Sequence, residues 1–168
     1  EGTWPDCDMI PLGRISIRGE RGGDRMSRLS PDEQYLLMTF FCIFRSPLMF
    51  GGDLPSNDDF TLSLLTNQEV LRMHRESSNV RQLYRKDNKI AVSSENTVTG
   101  EKYLALFNMD DRNTQNLAVN IAELGLQGNC RATELWQNQT LTFSDSIHCD
   151  LRPHAAVLYK IHPAENPD

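Results

Sequence analysis

The hydrophobic period of this chain changes part-way along it, and that change limits its fold more than any other signal it carries. Up to residue 76 the apolar residues fall in helical blocks opened by capping signals. From residue 77 they fall in short runs of strand length separated by turn residues. A helix repeats its face about every 3.6 residues and a strand every second one, so one pattern cannot serve both. The chain therefore reads as two regions, residues 1–76 and residues 77–168, meeting near Glu76–Asn79.

The first region carries two helix starts. Ser30-Pro31-Asp32-Glu33 combines an N-cap serine, a proline at the first helical position and a glutamate placed to close a capping box. The next run, Gln34–Phe44, is apolar on most faces and predicts a helix buried over much of its circumference. Ser46–Gly52 is a short apolar run ended by a glycine pair, the pattern of a buried parallel strand and a tight loop. Thr66-Asn67-Gln68-Glu69 repeats the capping-box spacing before Val70, Leu71, Met73 and His74. Loop, helix, strand, loop, helix is the order a βα-repeat fold produces. A full (β/α)8 barrel takes about 250 residues, so this region cannot close one by itself.

The second region predicts strands at Arg81–Tyr84, Ile90–Ser93, Tyr103–Asn108, Leu117–Ile121, Arg131–Trp136, Leu141–Phe143 and Ala155–Ile161. Turn signals such as Lys86-Asp87-Asn88-Lys89 and Gln127-Gly128-Asn129 lie between them. Short strands at this spacing indicate an antiparallel sandwich.

Charge and composition narrow the function classes. A net charge of −6 argues against a general nucleic-acid binder. The longest apolar run, Tyr35–Phe44, falls short of the roughly 20 residues that a membrane helix needs. The cysteines Cys7, Cys42, Cys130 and Cys149 show no CxxC spacing, and the histidines neither HxxxH nor HExxH, so no metal site is expected. Cys42 reads as a buried thiol, while Cys130 and Cys149 flank the last hairpin and are left open between paired and free. The stretch Arg14–Arg28 holds five arginines interleaved with Glu20 and Asp24, which predicts a solvated loop rather than an anion site.

Three motifs carry a resemblance. Trp4-Pro5-Asp6-Cys7-Asp8-Met9 resembles the W-x-D-x-D-M segment after the seventh barrel strand of glycoside hydrolase family 27, the α-galactosidases and α-N-acetylgalactosaminidases. Arg45–Leu54 resembles that family's eighth strand with the loop after it, and Leu64–Leu71 the start of its last barrel helix. The long Arg14–Arg28 segment is more similar to bacterial relatives. The resemblance implies the last βα units of a (β/α)8 TIM barrel over residues 1–76 and a C-terminal antiparallel β-sandwich over residues 77–168.

It also implies roles. Asp8 would hydrogen-bond hydroxyls of the terminal sugar, since an ionised carboxylate only accepts and suits a pair of hydroxyl donors. Met9 would line the pocket, with core packing as its bland alternative. Trp4 and Asp6 would shape the loop, and Asp53, after the eighth strand, would either face the substrate or cap the next segment. A retaining glycosidase needs two carboxylates roughly 5–5.5 Å apart, and in this family both precede the W-x-D-x-D-M segment. The expectation is therefore that no catalytic residue lies in this chain, that its start at Glu1 is a cut, and that the chain alone is inactive. The substrate implied is a terminal α-galactoside, with no metal or organic cofactor, the remainder of the barrel as partner, and an extracellular or periplasmic location. Two other readings stand beside it. One is a non-catalytic β-sandwich module that binds carbohydrate or a protein partner. The other is an enzyme of the same fold for another sugar, such as a β-L-arabinopyranosidase. Trp136 is expected in the core rather than as a sugar platform.

Overall fold

The computed structural model describes residues 4–164. The chain opens with a short strand β1 (Met9–Ile10), a small antiparallel hairpin of β2 (Arg14–Ile15) and β3 (Arg25–Met26), and helix α1 (Pro31–Ile43). Strand β4 (Met49–Phe50), a 3-10 turn (Leu54–Ser56) and helices α2 (Asp59–Leu65) and α3 (Gln68–Glu76) come next. β1 and β4 pair in parallel, Met9 opposite Met49 and Ile10 opposite Phe50. A parallel pair requires a crossover, and α1 supplies it, so β1–α1–β4 is a βα unit. The rest of the chain is β5 (Ser78–Lys86), β6 (Lys89–Glu95), β7 (Lys102–Asn108), β8 (Gln115–Asn120), β9 (Cys130–Glu134), β10 (Gln139–Phe143), β11 (Ser146–Leu151) and β12 (Ala156–Pro163).

The start of α1 forms as the sequence dictates. Ser30 Oγ accepts from the Glu33 N–H at 3.3 Å while the Glu33 carboxylate accepts from the Ser30 N–H at 2.7 Å, with Pro31 filling the first turn where its missing donor costs nothing. The second cap is displaced by one residue from the expected box. Asn67, not Thr66, caps α3, its Oδ1 accepting from Val70 N–H at 3.1 Å. Thr66 is unavailable because it ends α2, donating its hydroxyl to the Leu62 carbonyl at 2.7 Å. The helix α2 itself is hidden in the sequence by its shortness and by the turn-forming residues Ser56-Asn57-Asp58 in front of it.

Six strands form one antiparallel sheet in the order β10-β9-β12-β7-β6-β5, and β8 with β11 forms a ribbon. β11 adds an eighth strand to the expected seven. It alternates Ile147 and Leu151 inward with His148 and Asp150 outward, but those polar residues beside the Ser144-Asp145 turn give it the look of a loop.

The sheet is covered on both faces. On one, Ala91, Leu104, Leu106, Ala132, Tyr159 and Ile161 pack against Leu117, Val119, Ile147 and Leu151 of the ribbon. On the other, Val92, Tyr103, Ala105, Phe107 and Leu158 pack against Met38, Phe41, Cys42 and Ile43 of α1, Leu64 of α2, and Val70 and Met73 of α3. Ile10 and Leu12, at and just after β1, join that second core. This double cover explains why β7 is buried from Tyr103 to Asn108 without alternation. Around the helix-side core lies a polar rim. Arg72 of α3 makes two hydrogen bonds to the Glu101 carboxylate, at 2.9 and 3.1 Å, and Lys160 of β12 pairs with Glu69. At the other end, Arg152 donates to Asp32 at 2.8 Å, and His154 lies 3.2 Å from Glu33 and 2.9 Å from Asp111. Trp136 bridges the regions, its indole N–H donating to the buried Thr39 hydroxyl at 2.8 Å. No helix among the described residues is long and apolar enough to cross a membrane.

Candidate functional site

The candidate site lies where β1 and β4 run out. Gly51 and Gly52 come directly after β4, and their lack of side chains lets the backbone press against the turn after β1. A Cβ on Gly52 would lie 2.2 Å from the Leu12 carbonyl oxygen and 2.6 Å from the Phe50 ring. A Cβ on Gly51 would approach Met9 Cβ at 3.1 Å. The Gly51 N–H donates to the Ile10 carbonyl and the Asp53 N–H to the Arg14 carbonyl, at 2.9 and 2.8 Å. The first bond ties the post-β4 loop to β1 and the second ties it to the hairpin.

Between them opens a cleft of about 480 Å³. Met9 and Pro11 form one side, Phe50–Asp53 the floor, and the β2–β3 hairpin, with Arg14, Ile17, Arg21 and Arg25, the far wall. The arginine-rich stretch is solvated, as expected, with a short hairpin of β2 and β3 at its base. Arg14 is gripped by Asp24 through two hydrogen bonds; the guanidinium holds the Asp24 carboxyl below its ordinary range and is itself pushed upward. Arg25 donates to the carbonyls of Arg21 at 2.8 Å and Gly23 at 2.9 Å, which stiffens the tip.

The residues singled out from the sequence do not all converge. Met9 and Asp53 line the cleft. Met9 belongs to β1 itself and is 57% exposed, so it is not a core residue among the described contacts. Asp53 opens the 3-10 turn; its carboxylate accepts from the Ser56 hydroxyl rather than from a backbone N–H. Asp8 stands immediately before β1 and is exposed, with a left-handed backbone (φ 66°). That conformation is uncommon outside glycine, and aspartate tolerates it by bonding locally. Here Asp8 Oδ1 accepts from the Met9 N–H at 2.7 Å, and Asp6 Oδ1 accepts from the Asp8 N–H at 2.9 Å. Asp8 is not among the residues that line the cleft, and its carboxylate is engaged by the adjoining backbone of its own loop. Trp4 lies farther back, with the Arg45 guanidinium 5.9 Å from its ring centroid. Cys7 anchors the same loop, its N–H donating to Ser46 Oγ at 3.0 Å, and Ser46 O accepts at 2.7 Å from the His74 ring.

Sequence reasoning did not find the hairpin wall or Phe50. The available signal was the spacing of Ile15, Ile17 and Met26 among the arginines, which is too sparse to stand out. The thiols play no part in the cleft. All four cysteines are free, Cys130 and Cys149 included, which lie in the large sheet and in the ribbon. Burial pushes the thiols of Cys42 and Cys149 up to about 12.

Comparison with known proteins gives this geometry a context. Residues 87–161 match the alpha galactosidase C-terminal beta sandwich domain. A β-L-arabinopyranosidase of glycoside hydrolase family 27 from Geobacillus stearothermophilus superposes with a TM-score of 0.93, at 40% identity over 99% of this chain and 39% of that one. Its complex with arabinose superposes at 0.92, with 41% identity over 98% of this chain and 38% of that one. The "Probable alpha-galactosidase A" of Aspergillus flavus is 26% identical over 82% of this chain and 26% of its own length. Alpha-galactosidase 2 of Arabidopsis thaliana is 24% identical over 95% of this chain and 38% of its own. The chain therefore spans between a quarter and two fifths of the length of these relatives. With a matched sandwich and a likeness to family 27 enzymes that runs nearly end to end, residues 87–161 are the C-terminal beta sandwich domain of the alpha-galactosidase type and the chain as a whole is similar to part of a glycoside hydrolase family 27 enzyme.

Proposed function

We propose that this chain is the C-terminal part of a retaining exo-glycosidase. In this reading residues 1–76 are the last βα units of a (β/α)8 barrel and residues 77–168 the sandwich that braces it. Asp8 and Met9 meet the terminal sugar, and Trp4, Asp6 and Asp53 hold the loops around it. The nucleophile and the acid/base, two carboxylates roughly 5–5.5 Å apart, come from the part of the parent protein that precedes this chain, so the chain alone does not turn over. Hydrolysis proceeds by double displacement with no cofactor. The observation that carries the reading is the parallel β1–α1–β4 unit opening into one cleft bounded by Met9, Gly51, Gly52 and Asp53. In open or closed parallel sheets, ligands bind at the carboxyl ends of the strands. The exposed Met49, which does not line the cleft, is then a surface that the rest of the barrel covers.

The sugar is a terminal α-galactosyl or α-N-acetylgalactosaminyl unit, or a sugar of the same ring configuration. One observation favours a second reading, β-L-arabinopyranosidase. Identity to the Geobacillus enzyme is 40%, beside 38% to a "putative alpha-N-acetylgalactosaminidase" of Bacillus halodurans and 24–26% to the α-galactosidases of Arabidopsis thaliana and Aspergillus flavus. β-L-Arabinopyranose is the galactopyranose ring without its hydroxymethyl group, so one constellation of hydroxyl acceptors serves both. The test is a pair of p-nitrophenyl glycosides, the α-galactoside and the β-L-arabinopyranoside, offered to the parent protein and to this chain. The parent should cleave at least one, and Asp8→Asn should lower its kcat/KM about 10- to 100-fold, the loss of a charged hydrogen bond. Turnover by the 168-residue chain alone, abolished by Asp8→Asn, would overturn the assignment of both carboxylates to the preceding part of the parent.

A further inference from the structure

A second open cleft, of about 490 Å³, lies between the first turns of α1 and the β9–β10 end of the large sheet. It shares no residue with the cleft at the ends of β1 and β4. Its walls include two half-buried aromatic rings, Tyr35 and Trp136, whose centroids are 5.5 Å apart at 54°. Both rings are fixed from behind. Tyr35 packs edge-on against Phe60 at 5.4 Å, and the Trp136 indole N–H is bound to Thr39.

The polar groups around these rings divide into spent and available ones. Asp32 is paired with Arg152, and the buried Glu134 carboxylate is enclosed by the backbone N–H groups of Gln137 and Leu158. Those charges have their partners, so they exert little pull on a free ion. The Tyr35 hydroxyl accepts from the Gln137 amide at 3.3 Å and keeps its own proton to donate. Asp150 gives one carboxylate oxygen to Asn116 at 2.8 Å and keeps the other. Among the described residues the exposed Gln139 amide takes part in no hydrogen bond, leaving a donor and an acceptor at the rim.

Rigid aromatic surface beside amides and hydroxyls that can both donate and accept suits a polyol ring. The ring's C–H face covers the aromatics and its hydroxyls meet the dipoles. We propose that this cleft is a second carbohydrate site, taking a neutral sugar ring on Tyr35 and Trp136 with its hydroxyls on Gln137, Gln139 and Asp150. Because α1 returns from the end of β1 to the start of β4, its first turn lies at the same end of the βα unit as the other cleft. Binding here does not require that the parent be an active glycosidase.

The chain has two tryptophans, Trp4 and Trp136, so Trp4→Phe leaves Trp136 as a sole reporter inside the cleft. Its emission is titrated with D-galactose and with L-arabinose. The expected result is a saturable change with a dissociation constant of about 1–10 mM, ordinary for one sugar ring. It should weaken at least about fivefold in Gln139→Ala and in Gln137→Ala, at exposed positions where folding is not at stake, and stay unchanged in Asp8→Asn. No saturable change up to about 100 mM would overturn the proposal. So would a change that Asp8→Asn abolishes and Gln139→Ala leaves intact, which places the sugar in the other cleft. An equal response to tetramethylammonium chloride would also overturn it, showing a cation cage instead.

Discussion

The two faces of the large sheet are closed in different ways. The ribbon face is sealed by β8 and β11 with aliphatic side chains, and its strands come from one continuous stretch of chain. The helix face is sealed by α1, α2 and α3, elements of the first region, and is rimmed by Arg72–Glu101, Lys160–Glu69, Arg152–Asp32 and His154–Glu33. The ribbon face makes a sandwich; the helix face makes the sandwich and the βα unit one body. A region that looks like an unfinished fold by itself is thereby given a complete apolar floor. The sandwich is thus more than an appended domain: it is the support on which the strand-end cleft is mounted.

The helix face is most vulnerable at Phe107, 2% exposed at its centre. Phe107→Ala should cost about 3–5 kcal/mol. Because the core is shared, helical and sheet signals should still unfold together in urea. Separate transitions would mean that the two regions are only loosely joined. A smaller effect is expected at the rim. Arg72 chiefly holds the Glu101 carboxyl down at about 2, against an ordinary value of 4.5. A lowered folded value gives stability that is present above the unfolded value and lost as pH falls through the folded one. The wild-type chain should therefore lose about 1–3 kcal/mol between pH 5 and pH 2 that Glu101→Gln lacks from the start, read as converging unfolding midpoints.

Thr39→Val keeps the shape of the buried threonine but removes the acceptor for Trp136. It should cost about 1–3 kcal/mol, the penalty of an orphaned indole donor, with a shift in Trp136 emission. The smallest effect concerns His154. Its imidazole is raised above 6.5 by Asp111 first and Glu33 second. A raised folded value gives stability that is full below the unfolded value and fades as pH climbs through the folded one. The melting temperature should sag slightly as the pH climbs past 6.5 in the wild type and stay flat in His154→Asn, whose side chain tolerates the left-handed backbone at that position (φ 55°). An identical slope in both would show that the His154 clasp adds nothing to the rim.

Much of this molecule is written locally. Ser30, Pro31 and Glu33 specify the start of α1 with no help from elsewhere, because every group in a capping box lies within one turn. The turn residues between short apolar runs specify seven of the eight strands of the second region for the same reason. Gly51-Gly52 after an apolar run marks the end of a parallel strand, although that strand is two residues long and exposed at Met49 rather than buried, and Asp6-x-Asp8-Met9 marks a loop that bonds to itself. The Asn67 cap, by contrast, depends on α2 having already claimed Thr66, and a preceding helix is not visible in four residues.

Which surfaces meet is settled by packing alone. Val92, Tyr103 and Phe107 are legible as apolar. That they face helices rather than another sheet depends on α1 arriving from a distant part of the chain. The hairpin wall of the strand-end cleft, the pairing of Trp136 with Thr39, and the second cleft beside Tyr35 are likewise products of chain segments that lie far apart in sequence. Period and capping are set by neighbours a few bonds away, so the sequence carries them openly. Contacts between distant segments are set by the sum of many weak, non-directional burials, and these acquire partners only once the chain has folded.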